Sequence, residues 1–402
     1  MSRRPGLTFY ILLALVLGAL VGWLLPEVGR QLQVLATIFI RLVMMIIAPL
    51  IFSTLVVGIA GSGKLRELGG MVGKALAFYL LLTMLTMALG FGIGNWLQPG
   101  QGIVPPAGDI SIAAPEESFW VRLFPKSIVD AMARGDVLQI VVFSLVFALA
   151  VGAAGGRGKP VLDFCRSLAD VMFKFTDYVM LAAPVGVFGA MAALVAAQGL
   201  TVGASFLRLT VATYLGFALI FFGLYPALLV FFRIPVREFW RAVREPLSIA
   251  FATTSSAAAL PRAMEVMENF GVHRRVVAFV LPTGTAFNLA GSAFFIGVAG
   301  LFVVQAFGIP LAAGDQLVLF GTLFVASKGV TNVPRSSLVA LAAGLSSFGV
   351  APEVVAASFG LLLGIDPILD MPRTGVNTAG NCLAAALVAR WQGSFRPQPS
   401  QN

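Results

Sequence analysis

The sequence predicts an all-α polytopic membrane protein, and three observations carry that expectation. Of its 402 residues 58% are hydrophobic and only 11% are charged, with a mean hydropathy of +0.93. A soluble body of this size must cover its outside with polar residues, and too few are present to do so. Apolar runs of roughly 20 residues, the length that crosses a hydrocarbon core, recur along the chain. Basic residues follow alternate runs in short connections.

The formal net charge of +9 would suggest nucleic acid as the partner of a soluble protein. Here the positive-inside bias accounts for it, and the partner expected is the lipid bilayer, not nucleic acid. Phe outnumbers Trp and Tyr by 33 to 5 and 5, which suits helices facing acyl chains. Cys165 and Cys382 lack metal-ligand spacing and exclude a disulfide framework. No cofactor or metal site is indicated.

The first apolar run, Leu7–Leu25, is long for a signal-peptide core and lacks a small-residue cleavage site, so it reads as a retained helix. Helices are expected next at Val34–Ala60 and Leu76–Leu97. A Pro/Gly-rich loop, Pro99–Pro125, carries Asp109, Glu116 and Glu117. Further helices are expected at Val137–Ala154, Val171–Ala196 and Phe206–Phe232. Arg3 and Arg4, then Lys64, Arg66 and Lys74, then Arg157, Lys159 and Arg166, then Arg233, Arg237, Arg241 and Arg244 all fall on one side if the N-terminus is cytoplasmic. The acidic loop falls on the other. The expected location is a bacterial inner membrane with both termini cytoplasmic.

After Arg244 the pattern changes. Pro246–Leu260 is too short and too polar at its centre, Thr253-Thr254-Ser255-Ser256, to span, and reads as a re-entrant hairpin. Val276–Phe287 and Phe294–Phe307 are two apolar halves around Asn288-Leu289-Ala290-Gly291-Ser292, a helix unwound at mid-membrane. The pattern then recurs: Leu317–Ala326, a polar stretch Ser327–Ser337 that includes Lys328, Asn332 and Arg335, a second arm from Leu338, and a last helix from Pro352 to about Val388. Two polar-tipped hairpins, each followed by a helix with polar residues at its centre, suggest inverted repeats around a central site. Irregular backbone at membrane depth is tolerated only where it is buried in protein or lines a cavity.

Asp370, Arg373, Thr374 and Asn377 stand at i, i+3, i+4 and i+7, one helix face. A charge at the bilayer centre costs about 2.5–3.5 kcal/mol even on lenient scales. An Asp370–Arg373 pair that merely neutralises itself is the plain structural reading. A hydrogen-bonding Thr and Asn on the same face, and a guanidinium fork matched to carboxylates, favour a ligand site. Arg373 would hold a carboxylate and Asp370 an ammonium. The Thr254-Ser255-Ser256 hydroxyls could simply finish a helix end, but a hairpin tip also offers free N–H groups to an anion. A hydrolase using Ser255 or Ser256 would need a base, and the sole His, His273, lies in an expected cytoplasmic loop with Glu265 and Glu268 nearby.

The segments ATTSSAAALP (Ala252–Pro261), NLAGS (Asn288–Ser292), SKGVTNVP (Ser327–Pro334) and GIDPILDMPRTGVNTAGN (Gly364–Asn381) resemble those of the dicarboxylate/amino acid:cation symporters, the glutamate transporter homologues. The resemblance extends over the whole topology, including APVGVFGAMA at Ala183–Ala192. It implies eight transmembrane helices and two re-entrant hairpins in a homotrimer, with an elevator-type transport domain sliding against a scaffold. On that pattern residues 1–72 are scaffold and 73–125 hold transport-domain helix 3 and the extracellular loop. Residues 126–235 hold scaffold helices 4 and 5 and transport-domain helix 6 (about 203–232), 236–392 the transport-domain core, and 393–402 a cytoplasmic tail. By motif position Arg373 binds the substrate's side-chain carboxylate and Asp370 its amino group. Thr374, Asn377, Ser256, Thr254 and Ser292 complete the pocket, with Val333 and Ser337 as the gate.

The resemblance also marks a cation site, working or vestigial: Gly284, Asn288, Asn377, Asn381, Ala290, Tyr79 and Thr83. Sodium-coupled members carry an Asp where this chain has Ala290 and another where it has Asn381, and a sodium site wants anionic oxygen. After Tyr79 the hydroxyl pattern is reduced to Thr83. Ile296 stands where proton-coupled animal members place a Glu. Thr254 and Met371 stand where other members place a basic residue. The expected function is therefore secondary active transport of an acidic amino acid, coupled to protons or working as cation-independent exchange rather than driven by sodium. The alternatives are a C4-dicarboxylate carrier and an anion-conducting channel using Arg373, Lys328 and Arg335. No enzymatic activity is expected.

Overall fold

Inside a bilayer the backbone must close its own hydrogen bonds, which leaves the helix as the local solution for each apolar run. The computed structural model describes residues 7–61, 70–101, 121, 124–199, 202–330 and 336–396. The first half holds α1 (Leu7–Leu24), α2 (Pro26–Gln31), α3 (Gln33–Ala60), α4 (Gly70–Leu97), α5 (Ile128–Arg134), α6 (Val137–Ala153), α7 (Lys159–Leu181) and α8 (Ala183–Gln198). α9 (Val202–Leu219) passes through a π-turn at Ile220–Leu224 into α10 (Tyr225–Phe231). The second half holds α11 (Val236–Thr253), α12 (Ser256–Asn269), α13 (Arg274–Phe287), α14 (Ala290–Ala306), α15 (Ala313–Ala326), α16 (Ser336–Phe348) and the 40-residue α17 (Pro352–Trp391).

Among the described residues Pro26–Ala60, Gly70–Leu97, Gly203–Phe231 and Arg274–Ala306 are long and apolar enough to cross a membrane. The bent pair Gly155–Leu181 and Ala183–Ala197 makes a further candidate. The chain is thus a nearly all-helical protein of the polytopic membrane type. Arg3, Arg4, Lys64, Arg66 and the acidic residues of the Pro99–Pro125 loop lie outside the described residues.

Three expected boundaries are corrected. Val171–Ala196 is not one helix: the chain bends by 48° between α7 and α8. Pro184, in the first turn of α8, has no N–H to give to the preceding turn and disfavours helical backbone at Ala183. The first hairpin is longer than Pro246–Leu260, because its arms α11 and α12 keep Pro246 and Pro261 inside them. Its charged ends satisfy one another: Arg262 of α12 lies 2.6 Å from Glu245 of α11 and 2.5 Å from Glu265. The unwound stretch is shorter than Asn288–Ser292, since only Asn288 and Leu289 leave the helix.

The helices pack in two groups. α1 lies along α8, and α3 contacts α6, α7 and α8. α4 lies along α14, while α11 and α12 pair, α15 and α16 pair, and α17 touches α9, α11, α13, α14 and α16. α14 is buried on all sides, and every residue of α17 from Pro372 to Ala389 is buried. A helix apolar all round belongs at a core. By contrast α1 exposes Phe9, Leu13, Leu17, Leu20 and Trp23, a face suited to lipid.

At one end of the second group Lys74 Nζ donates to the Trp391 carbonyl (3.4 Å), Arg390 Nε to that of Phe232 (3.3 Å), and the Arg396 amide to that of Gly271 (2.9 Å). These contacts gather the ends of α4, α10 and α17 with the turn before α13, and so bring basic residues together. His273 caps α13 there: it is exposed, and its Nδ1 accepts from the Arg275 amide at 3.2 Å. Cys165 and Cys382 are buried free thiols.

The α4–α14 contact depends on a small residue. A Cβ on Gly90 would stand 2.5 Å from the Phe294 carbonyl oxygen. Gly90→Ala therefore forces two core helices apart, and the expected loss of about 1–3 kcal/mol will show as a lower Tm in detergent. An unchanged Tm would contradict this packing.

Candidate functional site

Two prolines, Pro367 and Pro372, sit in the middle of α17, and each deprives a carbonyl one turn earlier of its partner. Ile368 is one such carbonyl, and it accepts from Tyr214 Oη of α9 at 2.9 Å. The helix persists across this weakened stretch because its neighbours supply what the prolines remove.

Directly after Pro372, Arg373 enters the core with its side chain 2% exposed. Its Nε and Nη2 donate to Asp370 Oδ1 at 3.1 and 2.5 Å, and its Nη1 donates to Asp366 Oδ1 at 3.0 Å. Its guanidinium carbon lies 4.7 Å from the centre of the Phe295 ring. The internal pair weighed against a ligand site does form, and it is a triad: Asp366 joins from one turn further back. Among the described residues these bonds use three of the five guanidinium N–H groups and leave two for another acceptor.

Asn377, on the same face, works as a cap for a different helix. Its Oδ1 accepts from the amides of Gly291 (2.8 Å) and Ser292 (3.3 Å), and its Nδ2 donates to Ser292 Oγ (3.2 Å). The first amides of a helix have no partner within it. A carboxamide from α17 supplies one, so α14 starts at Ala290, and this is why the break is short. Gly291 permits the approach: a Cβ there would lie 2.6 Å from the Arg373 carbonyl oxygen.

The tip of the first hairpin reaches the same place. Thr254 closes α11 in the left-handed region (φ 52°, ψ 31°), unusual for a β-branched residue. Ser255 caps α12, its Oγ accepting from the Ala258 amide at 3.2 Å. Thr378 Oγ1 donates to Ser256 Oγ at 3.2 Å, tying the tip to α17.

A polar cavity results, lined by Thr254, Ser256, Leu289, Ser292, Ser336, Ser337, Asp370, Arg373, Thr374 and Asn377. It brings together eight of the nine expected substrate residues; the ninth, Val333, lies outside the described residues, as do Asn332 and Arg335. Lys328 is elsewhere. It lines a separate apolar cavity of about 280 Å³ with Ile59, Tyr79, Phe279 and Phe287, its ammonium 4.7 Å from the centre of the Phe324 ring.

The residues of the expected cation site are partly engaged by the protein. Tyr79 Oη donates to the Val280 carbonyl, and Thr83 Oγ1 to that of Tyr79, each at 2.6 Å. Ala290 is buried in the first turn of α14. Gly284 and Asn381 meet beside the break, where a Cβ on Gly284 would stand 2.7 Å from the Asn381 amide. Sequence reasoning missed Phe295, Thr378 and Tyr214, and did not pair Asp366 with Arg373. Phe295 carries no mark that separates it from any core Phe. Thr378, one position after Asn377, was within reach of a helix-face argument.

A buried, carboxylate-paired guanidinium thus lies at the meeting point of a broken helix and a hairpin tip, inside an apolar helical bundle. The Sodium:dicarboxylate symporter family matches residues 7–391, and the chain belongs to it. It is 35% identical to a proton/glutamate-aspartate symporter of Bacillus subtilis, over 97% of this chain and 96% of that one. It is also 35% identical to a proton/sodium-glutamate symport protein of Geobacillus stearothermophilus, over 100% and 98%. A C4-dicarboxylate transport protein of Mesorhizobium japonicum is 38% identical, over 98% and 86%.

Asn377→Ala removes the trans cap of α14 and should cost about 1–2 kcal/mol, read as a lower Tm. A Tm equal to wild type would show that the Oδ1 bonds to Gly291 and Ser292 do not support the helix start.

Proposed function

We propose that the chain carries an acidic amino acid of the aspartate or glutamate kind across the bacterial inner membrane as a secondary transporter. The observation behind this is Arg373, held by Asp370 and Asp366 with two N–H groups left, in a cavity lined by hydroxyls. A substrate carboxylate can take those N–H groups in the bidentate geometry that guanidinium favours. Its ammonium can take over Asp370, which supports an amino acid over a dicarboxylate. The C4-dicarboxylate carrier is kept as second reading because a relative so named is as similar as the glutamate ones.

The working unit is an elevator in a homotrimer, with eight transmembrane helices, two re-entrant hairpins and both termini cytoplasmic. α1–α3 and α6–α8 form the scaffold, and α4, α9, α10 and α11–α17 form the moving part. Coupling follows from charge. Counted with both carboxylates ionised, the triad carries −1, and an acidic amino acid adds another negative charge in a low-dielectric site. Two like charges there repel strongly. A proton must travel with the substrate, or a second acid must leave in exchange. Ala290 and Asn381, in place of carboxylates, argue against sodium as the driving ion.

Proteoliposomes loaded with sodium and pH gradients separately will decide. Labelled aspartate should be taken up with an inward proton gradient or by exchange, and not with sodium alone. Accumulation driven by sodium alone would overturn the coupling, and transport of succinate without aspartate would overturn the substrate. Arg373→Ala should abolish acidic-substrate binding while the trimer still assembles.

A further inference from the structure

Beside the break between α13 and α14 three backbone and side-chain groups converge on one point. The carbonyl oxygens of Gly284 and Asn288 each lie 3.1 Å from the terminal amide atom of Asn381 that faces them. The Asn288 amide lies 3.1 Å from the same atom, and the Asn288 Oδ1, buried, otherwise finds no partner. Oxygen and nitrogen of an amide are assigned from such surroundings. If that atom were the oxygen, it would face two carbonyl oxygens in a dry interior, with only the Asn288 side-chain amide beside it to donate. If it is Nδ2, it donates to both carbonyls. Turning the Asn288 amide as well places its Oδ1 on this same nitrogen, so that two hydrogens are shared among three acceptors, and puts the Asn288 Nδ2 where its Oδ1 had no partner among the described residues.

This corner is tightly built. Asn288 and Asn381 are 0% and 3% exposed. A Cβ on Gly380 would stand 2.6 Å from Tyr225 Oη and 3.6 Å from the Asn288 amide. Tyr225 Oη in turn donates to the Val376 carbonyl at 3.0 Å. Converging oxygens at a helix break need either a cation or a donor between them.

We propose that the Asn381 Nδ2 group is that donor, a built-in substitute for a bound cation that holds the α13–α14 break in shape at all times. The break then presents Leu289 and Ser292 to the polar cavity whether or not any ion is present. The inference draws on the proposed function only for its relevance to coupling. Its test reads the protein without substrate, so it can fail or stand apart from the choice of acid or driving ion.

The test is thermal unfolding of the purified trimer or monomer in detergent, in NaCl and in choline chloride at equal ionic strength. Wild-type Tm should agree in the two salts within about 1 °C. Asn381→Asp places a second oxygen against the two carbonyls, so its Tm should fall in choline and recover in sodium by about 3 °C or more. Asn381→Leu, close in size but without a donor, should be lower than wild type equally in both salts. A sodium-specific rise in the wild type overturns the proposal, and so does an Asn381→Leu protein as stable as wild type. Should the Asp variant not be recovered, those two proteins decide the matter; if it is recovered, a Tm equal to wild type in choline also overturns it.

Discussion

One buried guanidinium sets the terms for the rest of the structure. An arginine with its side chain 2% exposed in an apolar bundle is sustainable only if its charge is met and its N–H groups find acceptors. Asp366 and Asp370 do both from the same helix, at the spacing of one and two turns, and Phe295 covers the guanidinium with a ring. These partners lie on α17 itself, so one helix carries the whole charge cluster. The remaining elements bring polar groups to that cluster and keep lipid away from it.

The second constraint is the backbone. A hairpin tip, a broken helix and two mid-helix prolines leave peptide groups without partners within their own helices. Side chains from other elements fill two of these gaps: Asn377 at the start of α14 and Tyr214 at Ile368. With Thr378 on Ser256 and Tyr79 on the Val280 carbonyl, these bonds link α4, α9, the hairpin tip and α14 to α17 or to α13. Loss of regular structure at the centre has thus become the means by which separate elements are registered against one another. A site assembled this way is polar because the chain is irregular there.

Much of this was legible in the chain. The helix-face spacing of Asp370, Arg373, Thr374 and Asn377, the hydroxyl-rich tip at Thr254–Ser256 and the interruption at Asn288 pointed to one centre, and the cavity joins them. Boundaries were less legible where a remote side chain decides them. Nothing near Ser292 announces that Asn377 will cap α14, so the unwound stretch read too long. The bend at Ala182 was signalled by Pro184, but hydropathy runs straight through it. Lys328 stood with Arg373 in the anion-channel alternative, and only packing shows its ammonium over Phe324 in a different cavity.

Composition and periodicity alone determined that this chain is a bundle of membrane-type helices with a charged, hydroxyl-bearing centre in its last third, because hydropathy and helix spacing are local properties. Tertiary structure decided the partners: Asp366 as the second carboxylate on Arg373, Asn377 as a cap rather than a free ligand group, and Asn381 against the Gly284 and Asn288 carbonyls. Those choices depend on distances of about 3 Å between residues far apart in sequence. Only the packed helices set such distances.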